Sequence, residues 1–284
     1  MAQRHIKVIR TRLAYIIYSI TEFPHLSTAE ILLKSYLMLV LDRVAKRFGG
    51  ILAVDDLSFE VAAGEIVALI GPNGSGKSTT LNLITSVYPV TSGAIYFQDH
   101  DITGLPTHQV IRTGIARTFQ NIRVFDNLTV WQNLWVASKR RPESSRLASW
   151  IRSDQATRAW LNEILKNSHL SDRSEALAGD LSLGEARRLE VARGMATDPK
   201  LLMLDEPAAG MHVTEIGELV ESIRTLQQHG TTILLIDHVL DLVMNVAQKI
   251  VVLNFGQKLA EGTPAEIQAN DKVKAAYLGT KDEV

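Results

Sequence analysis

From residue 37 onward the chain is marked by short apolar runs bounded by polar turns: Leu37–Leu41, Leu57–Val61, Glu65–Ile70, Leu201–Leu204, Thr232–Ile236 and Ile250–Leu253. Runs of this length with little polar alternation predict strands buried on both faces, as in a mainly parallel sheet covered by helices. Between Val124 and Ala196 the runs stop. Apolar positions return there with helical spacing over Leu128–Ala137, Gln155–Leu165 and Gly184–Met195, which predicts a helical block set into the strand-and-helix frame. The layout is α/β, with one domain over residues 37–284 and an α-helical subdomain at about 125–196 within it. Trp131, Trp135, Trp150 and Trp160 all fall in that block; they read as packing for its small core, or as a partner surface. Residues 1–36 precede the first strand and have no place in the pattern. Arg4 to Ile20 mixes cationic and apolar residues, as an amphipathic segment on a membrane or partner would, but a poorly ordered extension is the expectation.

Composition narrows the class. An apolar content of 46% over 284 residues supports a sizeable core and excludes a disordered chain. Net charge is −1, so no nucleic-acid partner is expected, although Arg4, Lys7, Arg10, Arg12, Lys34, Arg43, Lys46 and Arg47 make one end basic. Cysteine is absent, which rules out disulfides and thiolate metal sites and fits a reducing compartment. The longest apolar stretches, Leu13–Ile20 and Tyr36–Leu41, fall short of the ~20 residues that cross a bilayer. Basic residues ahead of an apolar segment resemble a signal peptide, but Glu22-Phe23-Pro24-His25 lacks a small-residue cleavage pattern. The expected location is cytoplasmic.

The chemistry is written in three places. Gly71-Pro72-Asn73-Gly74-Ser75-Gly76-Lys77-Ser78 fits the phosphate-loop pattern G-x-x-x-x-G-K-[ST], with a predicted strand before it and helix potential from Lys77 to Thr85 after it. Its glycines let backbone N–H groups face a triphosphate, and the helix start adds positive potential. Lys77 can reach the outer phosphates and Ser78, followed by Thr79, can offer a hydroxyl to Mg²⁺. Leu201–Leu204 ends in Asp205-Glu206: Asp205 suits the Mg²⁺ shell, and Glu206, pointing elsewhere, suits the proton of an attacking water. Thr231–Ile236 ends in Asp237-His238, whose parallel neighbour should be the Asp205-Glu206 strand, so His238 is placed to meet a γ-phosphate. ATP and Mg²⁺ are the ligands these motifs call for.

Leu181-Ser182-Leu183-Gly184-Glu185, opening a helix through Arg193, resembles the signature motif of ATP-binding-cassette ATPases at that family's distance ahead of the carboxylate pair. The resemblance implies a P-loop NTPase core with an N-terminal antiparallel β portion and an inserted helical signature subdomain. It also implies a second ATPase chain, whose ATP the Ser182 hydroxyl and Gly184 N–H would contact in trans. Gln120, in Arg117-Thr118-Phe119-Gln120-Asn121, resembles the glutamine that links Mg²⁺ and the attacking water to a membrane subunit, and Phe48 takes the place of the aromatic that stacks on adenine. Leu183 and Glu185 replace the commoner glycine and glutamine, and His212 stands where many cassettes have aspartate.

The wording of Arg117–Phe125, Arg187–Arg193, Glu206–Gly210 and Ala275–Gly279 is similar to the ATPase subunits of bacterial branched-chain amino-acid importers, above all the larger of the two. Membrane permeases and a periplasmic binding protein would then be partners, with the chain peripheral on the inner face of the plasma membrane. The alternatives are a urea or amide importer, the lipopolysaccharide exporter, which shares the Asp-His pair, and a non-transport cassette.

Overall fold

A computed structural model of the protein describes residues 37–140 and 155–278. The predicted N-terminal extension and Trp150 lie outside those residues. The described chain opens with a hairpin of two long strands, β1 (Leu37–Phe48) and β2 (Ile51–Ala62), turned through Gly49, whose φ of 55° suits a tight two-residue connection. Both strands run well past the predicted apolar runs. The apolar alternation breaks at Asp42-Arg43 and Asp55-Asp56, where Arg43 and Asp56 take left-handed backbone and the register slips. A bulge shifts the phase of the inward-facing positions without ending the strand. Strands β4 (Ser92–Phe97) and β5 (His100–Asp101) complete a four-stranded antiparallel sheet in the order β2-β1-β4-β5.

The second sheet has six strands: β3 (Ile66–Ile70), β6 (Ile115–Arg117), β7 (Leu201–Asp205), β8 (Thr232–Ile236), β9 (Lys249–Asn254) and β10 (Gln257–Gly262), in the order β10-β9-β3-β8-β7-β6. All neighbours pair in parallel except β10, which returns antiparallel at the edge. Every residue of β3, β7 and β8 is buried, and alternate side chains serve two cores. Val67, Leu69, Leu201 and Met203 join the antiparallel sheet and helix α1 (Lys77–Ile84). Ile66, Ala68, Leu202 and Leu204 pack with α6 (Val213–Gln228) and α7 (Leu240–Val246).

A third core gathers α3 (Val130–Ala137), α4 (Gln155–Asn167) and α5 (Leu183–Ala196); the short α2 (Thr107–Arg112) precedes β6. Trp135 is fully buried there, with Trp131 and Trp160 half-buried against it, which favours the packing reading of the described tryptophans. Thr129 caps α3 and Ser182 caps α5, each through a reciprocal box with Gln132 or Glu185. The chain closes with α8 (Pro264–Ala269) and α9 (Asp271–Leu278).

Candidate active site

The parallel order sends four chain segments off the same edge of the sheet, the place where open α/β sheets hold ligands. β3 runs into the phosphate loop, β6 into Thr118-Phe119-Gln120, β7 into Glu206 and β8 into Asp237-His238. The phosphate loop depends on two glycines in particular. A Cβ on Gly71, whose φ is 153°, would strike the Leu253 carbonyl, and one on Gly76, whose φ is 103°, would lie 2.6 Å from the Ala53 carbonyl oxygen. The loop is thus pressed against β9 and β2 by backbone that cannot yield. No side chain caps α1 at Gly76, so the helix start keeps its N–H groups for an anion. The buried Ser75 hydroxyl has no partner among the described residues, as expected of a cradle built for a ligand.

Lys77 folds over this loop, its Nζ donating to the carbonyls of Gly71 (2.8 Å) and Pro72 (2.9 Å). Burial pulls its pKa below the usual lysine value, while the nearby Glu206 charge opposes that shift. Ser78 is exposed at the start of α1. Pro72, Asn73 and Gly74 line a pocket of about 530 Å³ that α9 closes with Lys272, Ala275 and Ala276.

Asp205, the last residue of β7, is buried and accepts from Arg117 Nη2 at 2.8 Å. The same guanidinium gives Nη1 to Asn82 Oδ1 at 2.7 Å, which ties α1 to the carboxylate. Glu206 leaves the strand direction because its φ is 51°, a conformation a non-glycine residue holds only where its surroundings enforce it. Here the enforcement is a hydrogen bond from its N–H to the Ile236 carbonyl at 2.7 Å. Its carboxylate accepts from Gln120 Nε2 at 3.0 Å and lies 3.9 Å from His238 Nδ1. Glu206, Gln120 and His238 therefore converge, and Lys77 is near enough to feel the Glu206 charge. The His238 side chain is 59% exposed, open to a ligand.

Two contributors escaped the sequence reading. Asp237 is buried and its carboxylate accepts the N–H groups of Ala208 (2.9 Å) and Val239 (2.9 Å), which fixes the segment after Glu206 to the one carrying His238. Burial pushes the Asp237 pKa up, against those hydrogen bonds and the His238 charge. Arg117 is the other: read in sequence as part of a family wording, it is the cation that neutralises Asp205.

Phe48 lies at the hairpin tip, 40% exposed, edge-on to Tyr88 with ring centroids 5.2 Å apart and with Lys46 Nζ 4.9 Å from its centroid. Ser182 is occupied as the cap of α5: its hydroxyl accepts from Glu185 N–H at 3.2 Å, and Glu185 returns a bond to the Ser182 N–H at 2.8 Å. The neighbours of this turn are on α6 and the segment before it. A Cβ on Gly184 would strike the Glu215 carboxylate, and Leu183 closes on Gly210. His212 opens α6, its N–H donating to Glu215 Oε2 at 2.9 Å. Among the described residues no helix is long and apolar enough to cross a membrane.

The chain matches the ABC transporter family over residues 54–209 and, over residues 257–283, a family described as branched-chain amino acid ATP-binding cassette transporter. It is 42% identical to the high-affinity branched-chain amino acid transport ATP-binding protein LivG of Escherichia coli K12, across 85% of this chain and 98% of that protein. To the lipopolysaccharide export system ATP-binding protein LptB of the same organism it is 35% identical, across 83% of this chain and 95% of that one. The crystal structure of the ADP conformation of MJ1267, an ATP-binding cassette of an ABC transporter, superposes with a TM-score of 0.75 at 32% identity, covering 86% of this chain and 99% of that one. With the motifs in place along one sheet edge and these likenesses over most of its length, the chain belongs to the ABC transporter family, as one of its nucleotide-binding, ATP-hydrolysing cassettes.

Proposed function

We propose that the chain powers import of branched-chain amino acids, hydrolysing ATP at Glu206 while separate membrane permeases carry the substrate. The convergence of Gln120, Glu206 and His238 beside Lys77 carries the hydrolytic reading. The 42% identity to LivG, against 35% to LptB, favours the importer over the lipopolysaccharide exporter.

In this reading the N–H groups of Gly74 to Ser78 and the Lys77 ammonium hold the β- and γ-phosphates, with Lys77 giving up its loop carbonyls for them. Phe48 stacks on the adenine. Gln120 and Glu206 orient a water, Glu206 accepts its proton as the water oxygen bonds to the γ-phosphorus, and the bond to the β-phosphate oxygen breaks to leave ADP and phosphate. His238, exposed beside Glu206, donates to a γ-phosphate oxygen. Ser78, Asp205 and Gln120 each offer an oxygen donor of the kind Mg²⁺ takes, and would be the residues to hold it. Mg²⁺ held by those residues would supply positive charge to the phosphates. Asp205, which accepts from Arg117 in this structure, would be the carboxylate of that set.

Ser182 and Gly184 act in trans, on ATP bound by a second cassette, either a copy of this chain or a related ATPase. The permease contact is the groove of about 870 Å³ between α5 and the Gln120 segment, where Phe119, Arg123 and Phe125 lie open beside the half-buried Arg193. A periplasmic binding protein would deliver substrate to those permeases, and the chain would sit peripherally on the inner face of the membrane. Uptake of labelled leucine in cells that carry this chain with its neighbouring permease genes tests the reading. Wild-type chain should support uptake and Lys77→Ala should abolish it. Uptake of urea in place of leucine, or a lipopolysaccharide-export defect in the Lys77→Ala strain, would assign the chain to one of the other transporters.

A further inference from the structure

Helix α5 begins at the signature turn, and its buried side makes a second set of contacts that packing alone does not require. Arg187 and Glu190, one turn apart, are both buried. They reach the same short stretch of main chain with opposite chemistry: Glu190 Oε1 accepts the Phe119 N–H at 3.1 Å, and Arg187 Nη1 donates to the Gln120 carbonyl at 2.7 Å. Between those two fixed points lies the residue whose side chain holds Glu206.

We propose that Arg187 and Glu190 are positioning residues for hydrolysis, clamping the Phe119–Gln120 backbone to the signature helix so that Ser182 and the Gln120 side chain move as one body.

The arrangement goes further than two hydrogen bonds. Arg187 and Glu190 also face each other at 3.6 Å, so each charge is held by the other as well as by the backbone it grips. Arg193, on the next turn, donates to the Arg123 carbonyl and lies 4.9 Å from the Phe125 ring centroid, and Arg123 in turn covers Phe119 at 4.6 Å. The main chain from Phe119 to Arg123 is thereby strapped along α5 by three side chains spaced three residues apart on one helix. Burial raises the Glu190 pKa, opposed by the Phe119 N–H and by Arg187, Arg193 and Arg123. Buried charges of this kind are costly to hold. Filling the space with apolar residues would cost less but could not grip a backbone carbonyl and N–H. Phe119, Arg123 and Phe125 also line the groove beside α5. A displacement of that lining therefore reaches both Gln120 and the start of α5 through the same clamp.

The inference rests on the hydrolytic role proposed for Gln120 and Glu206. Its test is steady-state ATPase and ATP affinity, the latter by a fluorescent ATP analogue, on full-length Glu190→Ala, Arg187→Ala, Glu190→Gln and Gln120→Ala, alone and combined. Neither clamp residue touches nucleotide in this reading, so Glu190→Ala and Arg187→Ala should lower kcat by ~10-fold or more with less than about a twofold change in ATP Kd, the loss expected of a misplaced catalytic group. Glu190→Gln keeps an acceptor oxygen for the Phe119 N–H and should restore most of kcat. Adding Gln120→Ala to either alanine variant should cost nothing further, because both act through Gln120. Arg187→Ala carries the test alone should Glu190→Ala fail to fold. The clamp is overturned if the combined losses multiply, if Glu190→Gln is as slow as Glu190→Ala, or if ATP Kd rises in step with the loss of kcat. Wild-type hydrolysis by Gln120→Ala and Glu206→Gln would instead overturn the assignment of the site itself.

Discussion

Replacing Arg117 by methionine keeps most of the aliphatic stem and removes the cation that Asp205 faces. The pair is well shielded, with side-chain exposures of 12% and 6% and a contact of 2.8 Å. Removing one partner of such a pair strands the other charge and costs about 3–5 kcal/mol. The loss also frees Asn82 Oδ1 from its 2.7 Å bond and uncouples α1 from β7. For a domain of this size each kcal/mol moves the melting temperature by about 2–4 °C, so Arg117→Met should melt roughly 6–20 °C below wild type without nucleotide. Thermal unfolding followed by circular dichroism reads this directly. The double variant Arg117→Met/Asp205→Asn removes the stranded charge and should recover several degrees of the loss. Melting of Arg117→Met within about 2 °C of wild type, or a double variant no more stable than the single, would refute the claim that Asp205 depends on Arg117.

Further outcomes follow from the same geometry. Gly184→Ala brings a Cβ onto the Glu215 carboxylate and should cost about 1–3 kcal/mol of unfolding free energy, largely restored in Gly184→Ala/Glu215→Ala, as denaturant titration can measure. His238→Ala should slow steady-state ATP hydrolysis by at least ~10-fold while leaving the melting temperature nearly unchanged, since the side chain is mostly exposed. Glu190 carries a folded-state pKa raised above its unfolded value. Its contribution to stability is therefore fullest below the ordinary glutamate pKa and declines as pH rises through the raised value. Glu190→Gln lacks that decline, so its melting temperature relative to wild type should climb as pH rises above the ordinary glutamate pKa; a flat difference would contradict the burial argument.

Much of the frame could be read from residue order because the parallel strands β3, β7 and β8 are apolar throughout and lead straight into the candidate site residues. β3, β7 and β8 stand within a residue of their predicted bounds, and their adjacency puts His238 beside Glu206 as expected. The antiparallel sheet was harder to see. Bulges at Arg43 and Asp56 break the two-residue period that marks a strand, and the two-residue β5 is too short to stand out; in the six-stranded sheet β6 and β10 are likewise too short or too polar. In the site, side-chain types announced Lys77, Asp205 and Glu206, but not what their surroundings do to them. The divergence of Glu206 from Asp205 comes from a left-handed backbone held by Ile236, more than from strand alternation. Arg117 and Asp237 form their contacts across strands that are distant in sequence, so no local pattern carries them. Glu190 sits in a helix whose charged residues resemble a solvated face, and only the fold shows them turned inward.

In the proposed mechanism Glu206 serves the hydrolytic step and not the grip on ATP. Parallel measurement of ATP affinity and turnover in Glu206→Gln tests it most directly. ATP Kd should stay within about threefold of wild type while turnover falls ~10²-fold or more, since the amide still accepts and donates hydrogen bonds but cannot take the proton of water. Undiminished turnover, or a loss of turnover matched by a loss of ATP binding, would contradict it.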